Sequence, residues 1–268
     1  MANIARSLSN YKNSRSCTHG VAPCVNDNGR LSPPKAKRLD KLETLAYARE
    51  NSGHVYDRRK NSKALSQKIN GALCYVDSPL HDAYQDAYHC NDEIFQDGKK
   101  ATANFCRRRS CLVCSKMYGA ALMTKYGKPL IDLPDLHFVT LTAPNVTGEL
   151  LGTEIDRMMM AWKKVQQCLR RHKMKGFRKM EVTYNGKTNE YNPHYHILVS
   201  GREIAKRIVS VWLRENSEAR TVAQNIKKVR SEKVLLEVFK YVTKAVIGKS
   251  FDVYAMDLLY QSVHGRKL

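Results

Sequence analysis

The chain has 268 residues, 43% of them hydrophobic, which is enough for one large domain or two small ones. Its 46 lysines and arginines against 25 acidic residues give a formal charge of +21. This excess indicates a polyanionic partner and favours nucleic acid over a membrane surface. No apolar run approaches the ~20 residues of a membrane helix, and residues 1–10 show no secretory signal. We therefore expect a cytoplasmic protein with reduced thiols and no membrane partner.

Four parts follow one another along the chain. Residues 1–65 are basic with little apolar periodicity, which predicts a mobile N-terminal arm with at most a short helix near 41–50. Residues 66–130 contain the cysteine cluster of a small zinc module. Regular elements then fill 131–247, and 248–268 is interpreted as a C-terminal tail.

The regular part alternates between apolar patterns of period two and of helical period. It is expected to be strand, helix, strand, strand, helix, strand, helix, with Thr153 as the N-cap of the first helix. The ranges are 136–142, 153–172, 177–184, 195–200, 202–214, 221–229 and 231–246. This order predicts an α+β fold, an antiparallel sheet with helices on one face in a ferredoxin-like arrangement.

Three cysteines lie within nine residues, at Cys106, Cys111 and Cys114. Together with the reduced compartment, this spacing predicts structural zinc, which prefers four sulfur or nitrogen ligands. Cys90 is the expected fourth ligand, with His89 beside it as a competitor. The alternatives are a ligand from a weaker second set, or simply buried structural thiols. The second set is Cys17, His19 and Cys24.

Three arginines, Arg107, Arg108 and Arg109, separate the first cysteine from the pair. They are expected to face phosphate. A second basic stretch, from Arg157 to Lys179, holds nine lysines or arginines and no acid. We interpret it as a surface for DNA phosphates, with a merely solvated basic face as the alternative.

His194 and His196 alternate along a predicted strand and therefore share one face. Both imidazoles can then meet one cation. Glu181, in the preceding strand, is the candidate third ligand, and its carboxylate suits magnesium or manganese. The alternatives are ordinary packed histidines and an exposed glutamate.

The last predicted helix places Tyr241 at the edge of its apolar side, one turn after Glu237 and close to Lys244. A phenol beside a carboxylate and an ammonium can act as a nucleophile. We expect Tyr241 to attack a phosphodiester, Glu237 to handle a proton in the terminating step, and Lys244 to neutralise phosphate or phenolate. The alternative is a tyrosine placed at an amphipathic boundary for packing alone.

These motifs, in this order, resemble the rolling-circle replication initiators of small plasmids, within the HUH endonucleases. Residues from about 90 to 246 carry the resemblance. The matching stretches are Asn104–Cys114, Phe138–Thr142, Gly176–Asn185, Asn192–His196 and Glu237–Lys244.

The resemblance implies an origin-specific nickase that forms a 5′-phosphotyrosyl link through Tyr241 and leaves a 3′ hydroxyl primer. It assigns Glu237 to termination, and His194, His196 and Glu181 to the divalent ion. The implied partners are plasmid origin DNA and the host helicase and polymerase. Other readings are a single-tyrosine transposase, a conjugative relaxase, or a non-enzymatic zinc protein that binds nucleic acid.

Overall fold

The computed structural model describes residues 37–38, 61–97, 100–239 and 252–266. The predicted helix near 41–50 and the set Cys17, His19 and Cys24 lie outside these ranges. The strands are β1 Lys37–Arg38, β2 Ile94–Asp97, β3 Lys100–Ala103, β4 Leu136–Thr142, β5 Gly176–Asn185, β6 Glu190–Ser200 and β7 Asn225–Lys228. The helices are α1 at 61–73, α2 His81–Tyr88, α3 Leu112–Ile131, α4 Gly148–Cys168, α5 Arg202–Glu215, α6 Lys233–Phe239 and α7 Val253–Val263.

A four-stranded antiparallel sheet forms the centre, in the order β5-β6-β4-β7. With α4 between β4 and β5, and α5 between β6 and β7, the chain follows the predicted β-α-β-β-α-β succession. The α+β class is therefore confirmed. A separate three-stranded sheet has the order β1-β2-β3.

The expectation of helices on one face only is wrong. On one face, Tyr195, Ile197 and Val199 pack with α4, α5 and α7. On the other face, Leu198 packs with Leu130 of α3 and with residues of α6. The second layer forms because Leu198, the next residue of β6 on the histidine face, is apolar and must also be buried.

Element boundaries differ modestly from the predictions, most of all for α4. This helix begins at Gly148, so Thr153 lies inside it and is not its N-cap. Part of the predicted strand at 221–229 is instead a 3-10 turn, Thr221–Ala223, and β7 follows it. The last predicted helix is described only as α6, up to Phe239.

Residues 253–263, interpreted as tail, form the buried helix α7. Asp252 caps it by accepting a hydrogen bond from the Ala255 N–H. Inside, the Asp257 carboxylate accepts hydrogen bonds of 2.6 Å from both Ser78 Oγ and Tyr84 Oη. Through these bonds α7 is tied to the segment around α2, and it closes the core over α4.

The cysteine-rich part shares its interior with the sheet. Ile69 and Leu73 of α1 belong to the same apolar cluster as the β4 and β6 side chains. Leu112 also joins that cluster, whereas its neighbour Val113 packs against the cysteines. One short stretch of chain therefore anchors both clusters. Within the described residues, no helix has the length and apolarity to cross a membrane.

Candidate metal and nucleic-acid site

The structure brings the four predicted cysteine ligands together at the start of α3. The Sγ atoms of Cys90, Cys106, Cys111 and Cys114 all lie within 4.8 Å of one another. Cys114 Sγ is 3.5 Å from Cys90 Sγ and 3.7 Å from Cys106 Sγ. Four thiolates ~2.3 Å from one tetrahedral zinc would be about 3.8 Å apart. This donor set therefore has the spacing of a closed metal site.

His89, the competing fourth ligand, points away from this cluster. Its ring is exposed, and Nδ1 lies 3.0 Å from Asp92 Oδ2. Cys90 is buried among the other sulfurs.

Backbone N–H groups surround the four sulfurs. The N–H of Arg107 points to Cys114 Sγ at 3.3 Å, and that of Arg108 to Cys106 Sγ at 3.4 Å. Arg107 reaches this geometry with a φ of 55°. The pKa of the Cys111 thiol is lowered by hydrogen bonds with its neighbours. The largest contribution comes from Cys106, followed by Cys114 and Cys90. Mutual hydrogen bonds also lower the pKa of Cys90, and they raise the pKa of Cys106, so the four thiols titrate as one group.

The structure also brings together the second predicted set, Glu181, His194 and His196. Their ligand atoms lie within 4.8 Å of one another. The two histidine Nε2 atoms are 3.2 Å apart, and Glu181 Oε2 lies 3.5 Å from His196 Nε2. Two nitrogens ~2.1 Å from one ion are roughly 3.0 to 3.4 Å apart. All three side chains are buried.

Strand register explains this convergence. Glu181 in β5 is the direct cross-strand partner of His194 in β6. Directly opposed residues of an antiparallel pair share a face, and so do residues two apart on one strand. The three side chains therefore point into one space.

The histidine rings are oriented for binding through Nε2. His194 Nδ1 lies 3.0 Å from the carbonyl oxygen of Asn192, which accepts a hydrogen bond from an Nδ1–H tautomer. The ring of His196 stacks on Phe138, with the centroids 5.1 Å apart. Two imidazoles and one carboxylate form a donor set that accepts a divalent ion such as manganese.

Tyr195, between the histidines, faces the opposite core. Burial raises its pKa to about 12, although Arg178 partly offsets this. It has no access to the metal face and is not a candidate nucleophile.

Helix α6 covers the same sheet face as the histidines. Its Phe239 ring lies 5.0 Å from Phe177, which is on the Glu181 side of β5. Glu237 is a partly buried residue of this helix. Tyr241 and Lys244 lie outside the described residues. The chain reaches position 241 two residues after Phe239.

The predicted phosphate surface at Arg157–Lys179 is only partly exposed. Arg157 binds Glu154 and Asn216, Arg178 lies over the Trp162 and Tyr195 rings, and Lys179 is buried. The exposed cations are Lys163, Lys164, Arg170, Arg171, Lys173 and Lys175. Beside the cysteine cluster, Arg107, Arg108 and Arg109 are also exposed, and Arg108 binds Asp86 at 2.6 Å.

The central part of the chain, with the Glu181, His194 and His196 set and three of the four cysteines, is similar to known proteins. The family model described as replication protein matches residues 97–203, which include Glu181 and both histidines. A replication protein ("Protein rep") of Staphylococcus aureus is 36% identical over 120 residues, covering 41% of this chain and 51% of that protein. Over this central region the chain is similar to the Rep replication proteins.

Two further Rep proteins are similar to the chain. That of Bacillus amyloliquefaciens is 27% identical over 178 residues, covering 53% of this chain and 52% of that protein. One from Bacillus sp. is 31% identical over 110 residues, covering 38% and 35%. The chain thus spans about half the length, or less, of these relatives. No solved structure matches it.

Proposed function

We propose that this protein initiates plasmid replication by nicking one strand of the origin through Tyr241, within a ferredoxin-like HUH endonuclease fold. The observation that carries the proposal is the convergence of Glu181, His194 and His196 on one sheet face. All three lie within the residues matched to the replication-protein family. A membrane or protein partner would leave this buried donor set unexplained.

The position of α6 supports Tyr241 as the nucleophile. Phe239 packs on Phe177, four residues from Glu181 along β5. Four residues of strand span roughly 13 Å. Two residues of chain beyond Phe239, together with the length of a tyrosine side chain, can span the distance from Phe177 to Glu181.

The chemistry is a transfer of phosphorus from one oxygen to another. A divalent ion bound by Glu181, His194 and His196 would polarise the phosphodiester and stabilise the charge that builds on it. The Tyr241 oxygen attacks phosphorus, the bond to the 3′ oxygen breaks, and the proton lost by the phenol balances the one gained by the 3′ hydroxyl. The 5′ phosphate stays on Tyr241, and the 3′ hydroxyl primes synthesis by host polymerase behind a host helicase.

Lys244 would neutralise the phosphate or the phenolate, and Glu237 would act in termination. There, Glu237 accepts the proton of a water that attacks the phosphotyrosyl link, and the phenol of Tyr241 is released. Structural zinc on the four cysteines would hold the N-terminal part in place, since such sites contribute directly to folding.

The test is adduct formation on labelled single-stranded DNA from the plasmid's own origin, with Mn²⁺. The wild type is expected to form one covalent adduct, mapped by mass spectrometry to Tyr241. Tyr241→Phe should form none, and Tyr254→Phe, at an exposed tyrosine of α7, should react as the wild type does. Binding without any adduct would favour a non-enzymatic zinc protein, and strand joining of transposon ends would favour a single-tyrosine transposase.

A further inference from the structure

Two asparagines, Asn145 and Asn192, lie next to the histidines on the same face of the sheet. Asn192 is two residues before His194 in β6, so the two side chains share that face, with their Cα atoms about 7 Å apart. A backbone bridge between Val146 and Tyr191 holds the chain after β4 against β6 and brings Asn145 beside Asn192. Helices α3 and α6 cover the other end of this face, whereas Asn145 is exposed and Asn192 is half-buried.

A chain of hydrogen bonds fixes the orientation of both side-chain amides. Asn145 Nδ2 donates to Glu190 Oε2 at 3.2 Å, and Asn192 Nδ2 donates to Asn145 Oδ1 at 2.7 Å. Glu190 sets this direction, because a carboxylate accepts hydrogen bonds and an amide can donate only through its NH2 group. No group of the described ranges donates to Asn192 Oδ1. This oxygen and the second N–H of Asn192 can therefore both bind a ligand.

We infer that Asn192 reads the base of a nucleotide next to the scissile phosphate and accepts adenine rather than guanine there. Asn145 and Glu190 act as positioning residues. The inference rests on the proposed function, because it places the scissile phosphate on an ion held by Glu181 and the two histidines. An asparagine amide forms two hydrogen bonds with adenine, since it accepts one from the N6 amino group and donates one to N7. The distance from His194 to Asn192 is close to that between a phosphate and the base of its own nucleotide.

The fixed direction of the hydrogen bonds explains the discrimination between purines. In the same pose, guanine presents the O6 acceptor where adenine presents its N6 donor. Asn192 Oδ1 would then face O6, and the two acceptors would leave each other without a hydrogen bond. Asn192 can turn its amide over only if Asn145 does so too. Asn145 cannot, because its Oδ1 would then face the Glu190 carboxylate.

The experiment measures the rate of adduct formation by zinc-loaded full-length protein with Mn²⁺. The substrates are single-stranded origin oligonucleotides with adenine or guanine at each position that flanks the nick. At one of the two positions, adenine should react about tenfold faster than guanine, the discrimination expected of one two-bond contact. Glu190→Gln should keep the rate with adenine but reduce this ratio to about twofold or less. The glutamine amide can also donate, so both asparagine amides become free to turn over.

Glu203→Gln is the matched control, because it removes the same charge from an exposed glutamate of α5 that pairs with Lys206. It should keep the wild-type ratio. Binding provides a second readout, measured by fluorescence anisotropy with the same oligonucleotides and no Mn²⁺. The wild type should again prefer adenine at that position, and Asn192→Ala should lose the preference.

Two results would overturn the inference. One is a wild type that reacts equally with both purines at both positions. The other is a folded Glu190→Gln protein that keeps the full ratio, even at a lower overall rate, since Glu190 would then be structural only. If the wild type forms no adduct on any oligonucleotide, the proposed function itself is wrong, and the two failures are thereby distinguished.

Discussion

Gly119 of α3 lies directly against the carbonyl oxygen of Phe239, the last described residue of α6. A Cβ on Gly119 would be 2.7 Å from that oxygen, a separation that side chains essentially never show. Helix α6 can approach α3 this closely only because position 119 has no side chain. The contact fixes the end of the helix that leads to Tyr241.

Gly119→Ala is therefore expected to displace the end of α6. Overpacking of this kind costs about 1–3 kcal/mol of unfolding free energy. Because Tyr241 follows Phe239 by two residues, adduct formation on origin DNA should fall at least about tenfold, the effect of a misplaced reacting group. Gly152→Ala is the control, since its Cβ would meet only the end of Arg266, at 3.6 Å. An unchanged adduct yield in Gly119→Ala would show that α6 does not position the tyrosine.

Loss of one cysteine ligand should remove the zinc and destabilise the fold. We expect Cys114→Ser to lose about one zinc per chain and to unfold at a clearly lower temperature, because structural zinc binding is linked to folding. Zinc content by plasma mass spectrometry and thermal melting would measure both. Cys168→Ser, at the exposed end of α4, should keep both values. Equal zinc content in the two variants would contradict a four-cysteine site.

Asp257 should be important for stability, although it is far from the histidines in the chain. Asp257→Ala removes the acceptor for Ser78 and Tyr84 and also for Gln261, whose Nε2 donates at 2.8 Å. Hydrogen bonds to a charged group contribute about 1.5–3 kcal/mol each, so the loss of all three is expected to cost at least about 4 kcal/mol in urea unfolding. Asp132→Ala, which breaks only the exposed pair with Lys128, should cost less than about 0.5 kcal/mol.

The exposed basic surface after α4 should determine the salt dependence of DNA binding. The double variant Arg170→Ala, Arg171→Ala is expected to make the slope of log K against log salt shallower by about 2, one for each lost phosphate contact. Lys164→Ala should change it less, because Lys164 already pairs with Glu215 at 2.8 Å. Fluorescence anisotropy across a salt series measures both slopes. Identical slopes for all three proteins would place the DNA elsewhere.

The sequence predicts the sheet, and the convergence of the side chains expected to hold metal, because both follow from local spacing. Strand β4 has the predicted bounds, and two-residue periodicity places His194 and His196 on one face. Glu181 was expected only as a third ligand from the preceding strand, and the register of β5 and β6 makes it the direct partner of His194.

Other features were missed because their signals were weak or depend on tertiary packing. Gly119, Gly127 and Pro129 interrupt the pattern of α3 with residues that usually disfavour helices. The apolar spacing Ala255, Leu259, Val263 does indicate a helix, but the short segment was assigned to a tail. Burial of Lys179 depends on which helices cover the second face, and no local pattern reports that.

The shared interior of α1, Leu112 and the sheet has a consequence for exchanging parts between relatives. A graft made at residue 130 would join two halves whose side chains had never been fitted to each other, because Ile69 and Leu73 fill spaces shaped by the sheet layer. A hybrid protein should fold only when Ile69, Leu73 and the sheet residues that they contact come from the same parent protein. Recombination between the genes of related proteins would therefore tend to preserve the cysteine segment and the sheet from one parent.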